Sequence, residues 1–265
     1  MSRLFPKRYR LGLGATYAAL AEVRGGMLMN WRMQAWAANT ATNWQTSLAA
    51  AVTWLRELEA HGAKVSIVLS AELAPLQLLP WRDDATRTKQ QELIASAQFR
   101  RIHGEVVVSR RIRVQPTGYG QPWLASAMDE RLLAALTEQL QAAGASVAGV
   151  RPLPLTLFNT ARGRLRGSAG WLIIAEPQWV TAIHWRDNYC QLLQTLPASA
   201  LQGEALRELL QRETRLANLP DRSCNYYLFG PPSLRLADCS ALDAGWKFHA
   251  SVTQDSPCYL LGGRT

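Results

Sequence analysis

Apolar and small residues alternate with polar ones through "RLGLGA" and "YAALAEVR", the two-residue period of partly buried strands. A Gly25-Gly26 pair follows, which predicts a tight hairpin, and "MLMNWRMQAW" completes a three-stranded meander. Trp44, Leu48, Val52, Leu55 and Leu58 then recur at helical spacing. They predict a helix over about 43–61 that ends near His61-Gly62, after which "KVSIVLS" reads as a buried strand.

The same order returns from residue 170. "WLIIAEP", "WVTAIHW" and "YCQLLQTL" are three strands, with Arg186 to Asn188 turning the second into the third. A helix follows over about 203–217, its apolar face set by Leu206, Leu209, Leu210 and Leu216, and "NYYLFG" reads as another buried strand. Strand, strand, strand, helix, strand thus occurs twice, and matching element order is what makes so long a repeat informative.

Between the copies lies a different unit, starting after "LLPW" (Leu78 to Trp81). It holds a helix over about 85–103 ending at His103-Gly104, then the strands "EVVVSRRIRV" and "WLASAM". A helix over about 129–143 follows, closed by Gly144 as a C-terminal stop. "ASVAGVRPL" and "LTLFNTARGRL" complete it, and the Gly-rich basic tract "ARGRLRGSAG" (Ala161 to Gly170) is the expected hinge. The expected division is residues 1–80 with 150–168 as a first half, 81–149 as an insert and 169–265 as a second half.

Composition narrows the function classes. With 48% hydrophobic and 18% charged residues, the chain is that of a globular protein with a real core. No apolar run is long enough to span a membrane, and the basic N-terminus lacks the apolar core of a secretory signal, so a cytosolic location is expected. Cys190, Cys224, Cys239 and Cys258 are too scattered for a zinc site or a disulfide framework and read as reduced thiols. Several tryptophans (Trp31, Trp36, Trp171, Trp179, Trp185) fall in strand-like runs, where half-buried packing is expected.

The net charge of +9 favours an acidic partner: nucleic acid, an anionic membrane surface or an acidic protein segment. The basic residues cluster at Arg3, Lys7, Arg8 and Arg10, at Arg100, Arg101, Arg110, Arg111 and Arg113, and at Arg162, Arg164 and Arg166. No helix-turn-helix, zinc or RNA-binding signature joins them, so nucleic acid is disfavoured.

A duplicated meander with an inserted β/α unit resembles the actin-like ATPase fold. Within it the chain resembles the PilM-type branch of type IV pilus assembly and the cytoplasmic part of the GspL-type protein of type II secretion. "LGLGATYAALAEV" stands where that family carries I-D-I-G-S-S-x-I-K-A-V-E-L. "WLASAMDERLLAALTEQLQAAGASVAGVRPLPLTLFNTAR" is similar to its inserted subdomain, and "WLIIAEPQWVTAIHWRDN" stands at its second phosphate loop. The resemblance implies an α/β fold of two βββαβ, ribonuclease H-like halves, with an insert in the first and a reduced second half.

The departures fall on the chemistry. Where the family has a metal-holding Asp and a phosphate-meeting Lys, this chain has Gly12 and Ala19, although Gly14 and Thr16 keep the turn. In the second loop Ala175 and Pro177 replace Asp and Gly, and Pro177 has no N–H to offer phosphate. The Gly-Gly turn near the adenine survives at best as Gly230-Pro231. These positions form a vestigial nucleotide site. ATP and magnesium are disfavoured, since magnesium wants carboxylates that are missing here.

Other chemistry is sparse. Tyr17 breaks a G-x-G-x-x-G pattern, and no P-loop, zincin or nucleophile-elbow motif occurs. His61 and His103 read as cationic complements to helix ends, His184 as packed, and Glu176 as a carboxylate with no adjacent group to complete a site. Asp83-Asp84 and Asp129-Glu130 precede helices and read as caps.

The leading expectation is a non-catalytic cytoplasmic scaffold of a pilus or type II-like secretion platform, peripheral to the inner membrane. The resemblance implies that it binds the cytosolic tail of an inner-membrane assembly protein, and self-association is open. Arg3, Lys7, Arg8 and Arg10 are its candidate partner or membrane contacts. The alternatives are a nucleotide-binding ATPase with a weakened site and a basic nucleic-acid-binding protein.

Overall fold

The first meander forms as its alternation dictates: β1 (Arg8–Leu13), β2 (Tyr17–Arg24) and β3 (Met27–Ala35) pair antiparallel in sequence. Gly25 and Gly26 both take positive φ, +58° and +85°, the geometry a two-residue hairpin needs. Asn43 caps α1 (Trp44–Glu57), its side chain accepting from the N–H groups of Gln45 and Thr46. Next, β4 (Lys64–Leu69) runs parallel to β1. The computed structural model describes residues 6–37, 43–104, 109–163, 165, 169–198, 205–216, 225–230, 247–250 and 260–261.

The stop of α1 differs from the expected one. Helix geometry ends at Glu57, and the left-handed residue that closes it is Glu59, with φ of +47°, rather than Gly62, whose own positive φ of +71° comes three residues later. The N–H of Glu59 bonds to the carbonyl of Arg56, and that of Ala60 to Leu55, which together close a Schellman motif. Gly62 instead donates to the carbonyl of Gly144 at 2.7 Å, and the His61 ring lies over Gly144. His61 therefore sits beyond the helix end that it was expected to complement.

The inserted sheet joins β5 (Leu76–Leu79), β7 (Trp123–Asp129) and β6 (Arg110–Gln115) in the order β5-β7-β6. It is covered by α2 (Thr88–His103), whose Ala95 and Phe99 pack on Leu79, Trp123, Ala125 and Ala127. This sheet begins at Leu76, ahead of the expected boundary at 81. The short strand "LQLL" carries too few residues for its period to be read, and β7 is what orders it. Asp83 and Asp84 do not cap α2: they bind Trp81 and Arg82, and Gln90 closes the helix start on the N–H of Arg87.

The helix α3 (Glu130–Ala142) is capped by Asp129 as expected, and Gly144 (φ +77°) ends it. Its buried face, Leu132, Leu136 and Leu140, packs with Leu48, Leu55, Leu11 and Ile67 in the core of the first half. The next strand, β8 (Ser146–Pro152), runs parallel to β4 and completes a sheet in the order β3-β2-β1-β4-β8. The helix α3 and the start of β8, expected inside the insert, are built into the first half.

After α4 (Leu153–Ala161) the second half repeats the first. Three antiparallel strands, β9 (Ala169–Ala175), β10 (Trp179–Arg186) and β11 (Tyr189–Pro197), precede α5 (Ala205–Leu216). Then β12 (Asn225–Phe229) and β13 (Lys247–Ala250) complete the order β11-β10-β9-β12-β13. The third-second-first-fourth-fifth arrangement is the same in both sheets, so the repeat extends to a fifth strand. The described residues hold no second counterpart of the three-stranded insert.

Asp187 and Asn188 both take positive φ and turn β10 into β11, as the sequence predicts. Trp171 and Trp185 are fully buried, whereas Trp31 on the outer strand β3 is 44% exposed. Leu216, expected on the apolar face of α5, is also exposed because it is the last helical residue. The side chains of Leu206, Leu209 and Leu210, and Cys224, Cys239 and Cys258, lie outside the described residues.

One apolar core joins the halves. Leu153, Leu157, Phe158 and Ala161 of α4 pack with Tyr17 and Val68 on one side and with Leu172, Ile174, Ile183 and Trp185 on the other. Leu165, within the expected hinge, packs against the same cluster.

Candidate functional site

Two hairpin turns face each other across this core. In the first half the N–H of Gly14 donates to the carbonyl of Tyr17 at 2.9 Å; in the second the N–H of Glu176 donates to that of Trp179 at 2.7 Å. These equivalent bonds match Gly14 with Glu176 and hence Gly12 with Ile174, one residue from the Ala175 of the sequence alignment. Neither Ile174 nor Ala175 carries a charge, and both are buried.

Glu176 fills the space between the turns. Its side chain is 4% exposed, yet it reaches both halves. Oε1 accepts from the N–H of Ala71, just after β4, at 2.9 Å, and Oε2 accepts from the hydroxyl of Tyr17 at 3.1 Å. Burial pushes this carboxyl up to about 7; the bonds from Ala71 and Tyr17 oppose the shift and the nearby Glu72 carboxylate adds to it. The group expected to stand alone is thus the centre of a network.

The Tyr17 ring folds over Gly14, where a Cβ would stand 2.3 Å from it. Only glycine fits beneath that ring. Ser47 in the first turns of α1 donates to the Gly14 carbonyl at 2.7 Å, and the Thr16 carbonyl accepts from Trp36 at 2.8 Å. The turn is therefore held by its own protein neighbours at every point.

Gly12 meets the C-terminal segment. A Cβ on it would lie 2.4 Å from the Leu260 carbonyl oxygen, in the place a larger side chain would occupy. Ala19 is buried with Ala21, Leu28 and Leu261. Of the other positions expected in the nucleotide site, Pro177 is exposed in the second turn and Gly230 is half-buried at the end of β12, while Pro231 lies outside the described residues. The structure brings Gly12, Gly14, Thr16 and Glu176 together and leaves Pro177 and Gly230 at the periphery. Sequence reading missed Tyr17, Ala71 and Leu260; an acid directly after the apolar run "WLIIA" was the available signal for the network.

The basic clusters separate by strand alternation. Lys7 lies near enough to Glu22 to favour its charged form, whereas Arg8 and Arg10 project from the opposite sheet face. Arg3 lies outside the described residues, as do Arg164 and Arg166. On β6, Arg111 and Arg113 pair with Glu130 (3.6 Å) and Glu92 (2.8 Å), so that stretch is partly neutralised. His103 does sit at the end of α2, stacked on Phe99, but burial and the neighbouring Arg110 lower its pKa and disfavour a cationic ring. His184 is buried edge-on against Trp171, and burial with nearby Arg186 lowers its pKa to about 4.

Two cavities, of about 660 and 520 Å³, open among the described residues, the second against Ala71 and Trp179 at the paired turns. The first is lined by Arg10, Arg151 and Arg162 together with Pro116, Leu155 and Phe158. The second lies between β5, α2 and β11, beside Glu72 and Trp179. No cluster of His, Cys, Asp or Glu suited to a metal ion occurs among the described residues, and no described helix is long and apolar enough to cross a membrane.

No protein-family model matches the chain, and no curated protein matches it in sequence. Solved structures do match. A protein of unknown function with an actin-like ATPase fold from Bacteroides thetaiotaomicron superposes with a TM-score of 0.67 at 11% identity, over 97% of this chain and 94% of that one. A chain of the PilM-PilN type IV pilus biogenesis complex gives 0.65 at 15% identity, over 91% and 88%. The cytoplasmic domain of EpsL, an inner-membrane component of the type II secretion system of Vibrio cholerae, gives 0.60 at 14% identity, over 96% and 92%. Identities this low speak to architecture rather than to activity. With its two halves of matching strand order, its inserted sheet and these superpositions, the chain has the actin-like ATPase fold.

Proposed function

We propose that this protein is a non-catalytic scaffold at the cytoplasmic face of a pilus or type II-like secretion assembly platform. In this reading it engages the cytosolic tail of an inner-membrane partner. The observation that carries the reading is the Glu176 carboxylate between the two turns, bonded to Tyr17 and Ala71. A carboxylate there repels a nucleotide phosphate and occupies its space. Gly12 and Ala19, backed by Leu260 and Leu261, supply neither a metal ligand nor a phosphate-meeting cation. The likeness to the pilus and secretion proteins supplies the setting, since one of them is solved as a complex with its assembly partner and another is a component of the inner membrane.

Calorimetric titration with ATP and magnesium tests this. Silence at millimolar nucleotide is expected. Micromolar binding would overturn the reading in favour of a working nucleotide switch. The pairing of Arg111 and Arg113 with carboxylates argues against nucleic acid as the main partner.

A further inference from the structure

Gln77 stands on the α2 side of β5, two residues before Leu79 and opposite Ala125, both of which pack beneath that helix. It is only 8% exposed, and neither Oε1 nor Nε2 of its amide has a hydrogen-bond partner among the described residues. Buried amides nearly always find partners, because an unpaired one forfeits its bonds to water without return. Gln77 lines the 520 Å³ cavity. Ile102 and His103 at the end of α2 form one wall, and Leu192 and Leu193 of β11 form another. Glu72, just beyond β4, and Trp179 of the second half complete it. The first half, the insert and the second half all contribute, and such junctions are where ligand pockets collect.

We propose that this cavity binds a small uncharged ring bearing a cyclic amide, a lactam, against the Gln77 side chain. A carboxamide presents a donor and an acceptor side by side. A lactam is the complement: its ring N–H donates to Oε1 while its carbonyl accepts from Nε2. One ligand thereby satisfies both unpaired atoms. A single trans peptide unit does not, since its N–H and C=O point in opposite directions. The charged residues among the described lining are one acid and one base, Glu72 and Arg110, so their charges balance and select no ion. His103 leaves that balance alone, since burial and Arg110 lower its pKa. The volume suits one or two fused rings, and Ile102 with the two leucines supplies the apolar surface that such rings need. This site goes beyond the scaffold reading and does not depend on it.

Saturation-transfer NMR on the full chain tests the proposal with isocarbostyril, a bicyclic lactam, and with N-methylisocarbostyril, which keeps the rings and the carbonyl but lacks the N–H. The lactam is expected to bind at least about tenfold tighter than its methylated form. Gln77→Leu should erase that difference. The variant should also melt no lower than the native protein, since it removes an unpaired amide from a buried place. Equal binding of the two compounds, or a preference that survives Gln77→Leu, would overturn the proposal. A lowered melting temperature or loss of folding in Gln77→Leu would overturn it too, by showing that the amide is satisfied within the chain. Displacement of isocarbostyril by a blocked dipeptide at equal concentration would point to a peptide instead. Nucleotide binding in the separate ATP titration would sink the scaffold reading without altering this comparison.

Discussion

Tyr17 and Glu176 lie on matching hairpin turns of the two halves and meet through a hydrogen bond of 3.1 Å. Together with the Ala71 N–H, this bond ties the second half to the first between the two turns. The bond carries a pH signature.

The unfolded carboxyl titrates near 4.5 and the folded one near 7. Between those values the folded state binds more protons, so stability contributed at this site is full below about pH 4.5 and is lost as pH rises through 7. Glu176→Gln mimics the protonated group, with Oε1 accepting from Ala71 and Nε2 donating to Tyr17. It should raise stability at pH 8 by about 1–3 kcal/mol and change little at pH 4.5. Thermal denaturation of both forms across this range checks the difference.

His184 works in the opposite direction. Its folded pKa of about 4 lies below its ordinary 6.5, so protonation on unfolding lowers stability as pH falls from about 6.5 toward 4. In the native chain the two groups oppose each other through the overlapping window. His184→Gln should flatten the acid limb and leave the loss toward pH 7 visible, whereas Glu176→Gln should leave only the acid loss. Parallel melting curves of the two variants would show slopes of opposite sign.

Element order was legible in the sequence because long periodic runs announce themselves: both meanders, α1, α3 and both positive-φ hairpins fall where alternation and turn chemistry put them. What was hidden needs three dimensions. No period marks β5, which depends on β7, and nothing in Leu260 advertises that its carbonyl will cover Gly12, some 250 residues away. That Gly12 and Ala19 bring no charge to the first turn was readable directly. The buried network of Tyr17, Ala71 and Glu176 was not, since its members are spread from residue 17 to 176.

The end of α1 gives a stability prediction. Glu59 holds the left-handed position of its Schellman motif at φ +47°, where a Cβ is strained, while the equivalent position after α3 is Gly144. Glu59 forms no ion pair among the described residues. Glu59→Gly should therefore stabilise the protein by about 1 kcal/mol, a rise of roughly 2 °C in Tm for a chain of this size. An unchanged or lowered Tm would show that the strain is absent.

Gly12 offers the sharpest test of whether the paired turns can hold a nucleotide. If the first turn could serve a nucleotide, Gly12→Asp would supply a carboxylate for a metal and with it magnesium-dependent nucleotide binding. The space is already taken: the first added carbon would meet the Leu260 carbonyl oxygen at 2.4 Å, which belongs to backbone and cannot swing aside. Gly12→Ala should cost about 1–3 kcal/mol through that clash alone. Gly12→Asp should cost more, since it also directs a carboxylate at a carbonyl oxygen in a buried place. Denaturant melts of the two variants should rank native above Ala above Asp, and neither variant should bind ATP in calorimetry. Nucleotide binding by Gly12→Asp would mean that the C-terminal segment yields, and that the site is dormant rather than filled.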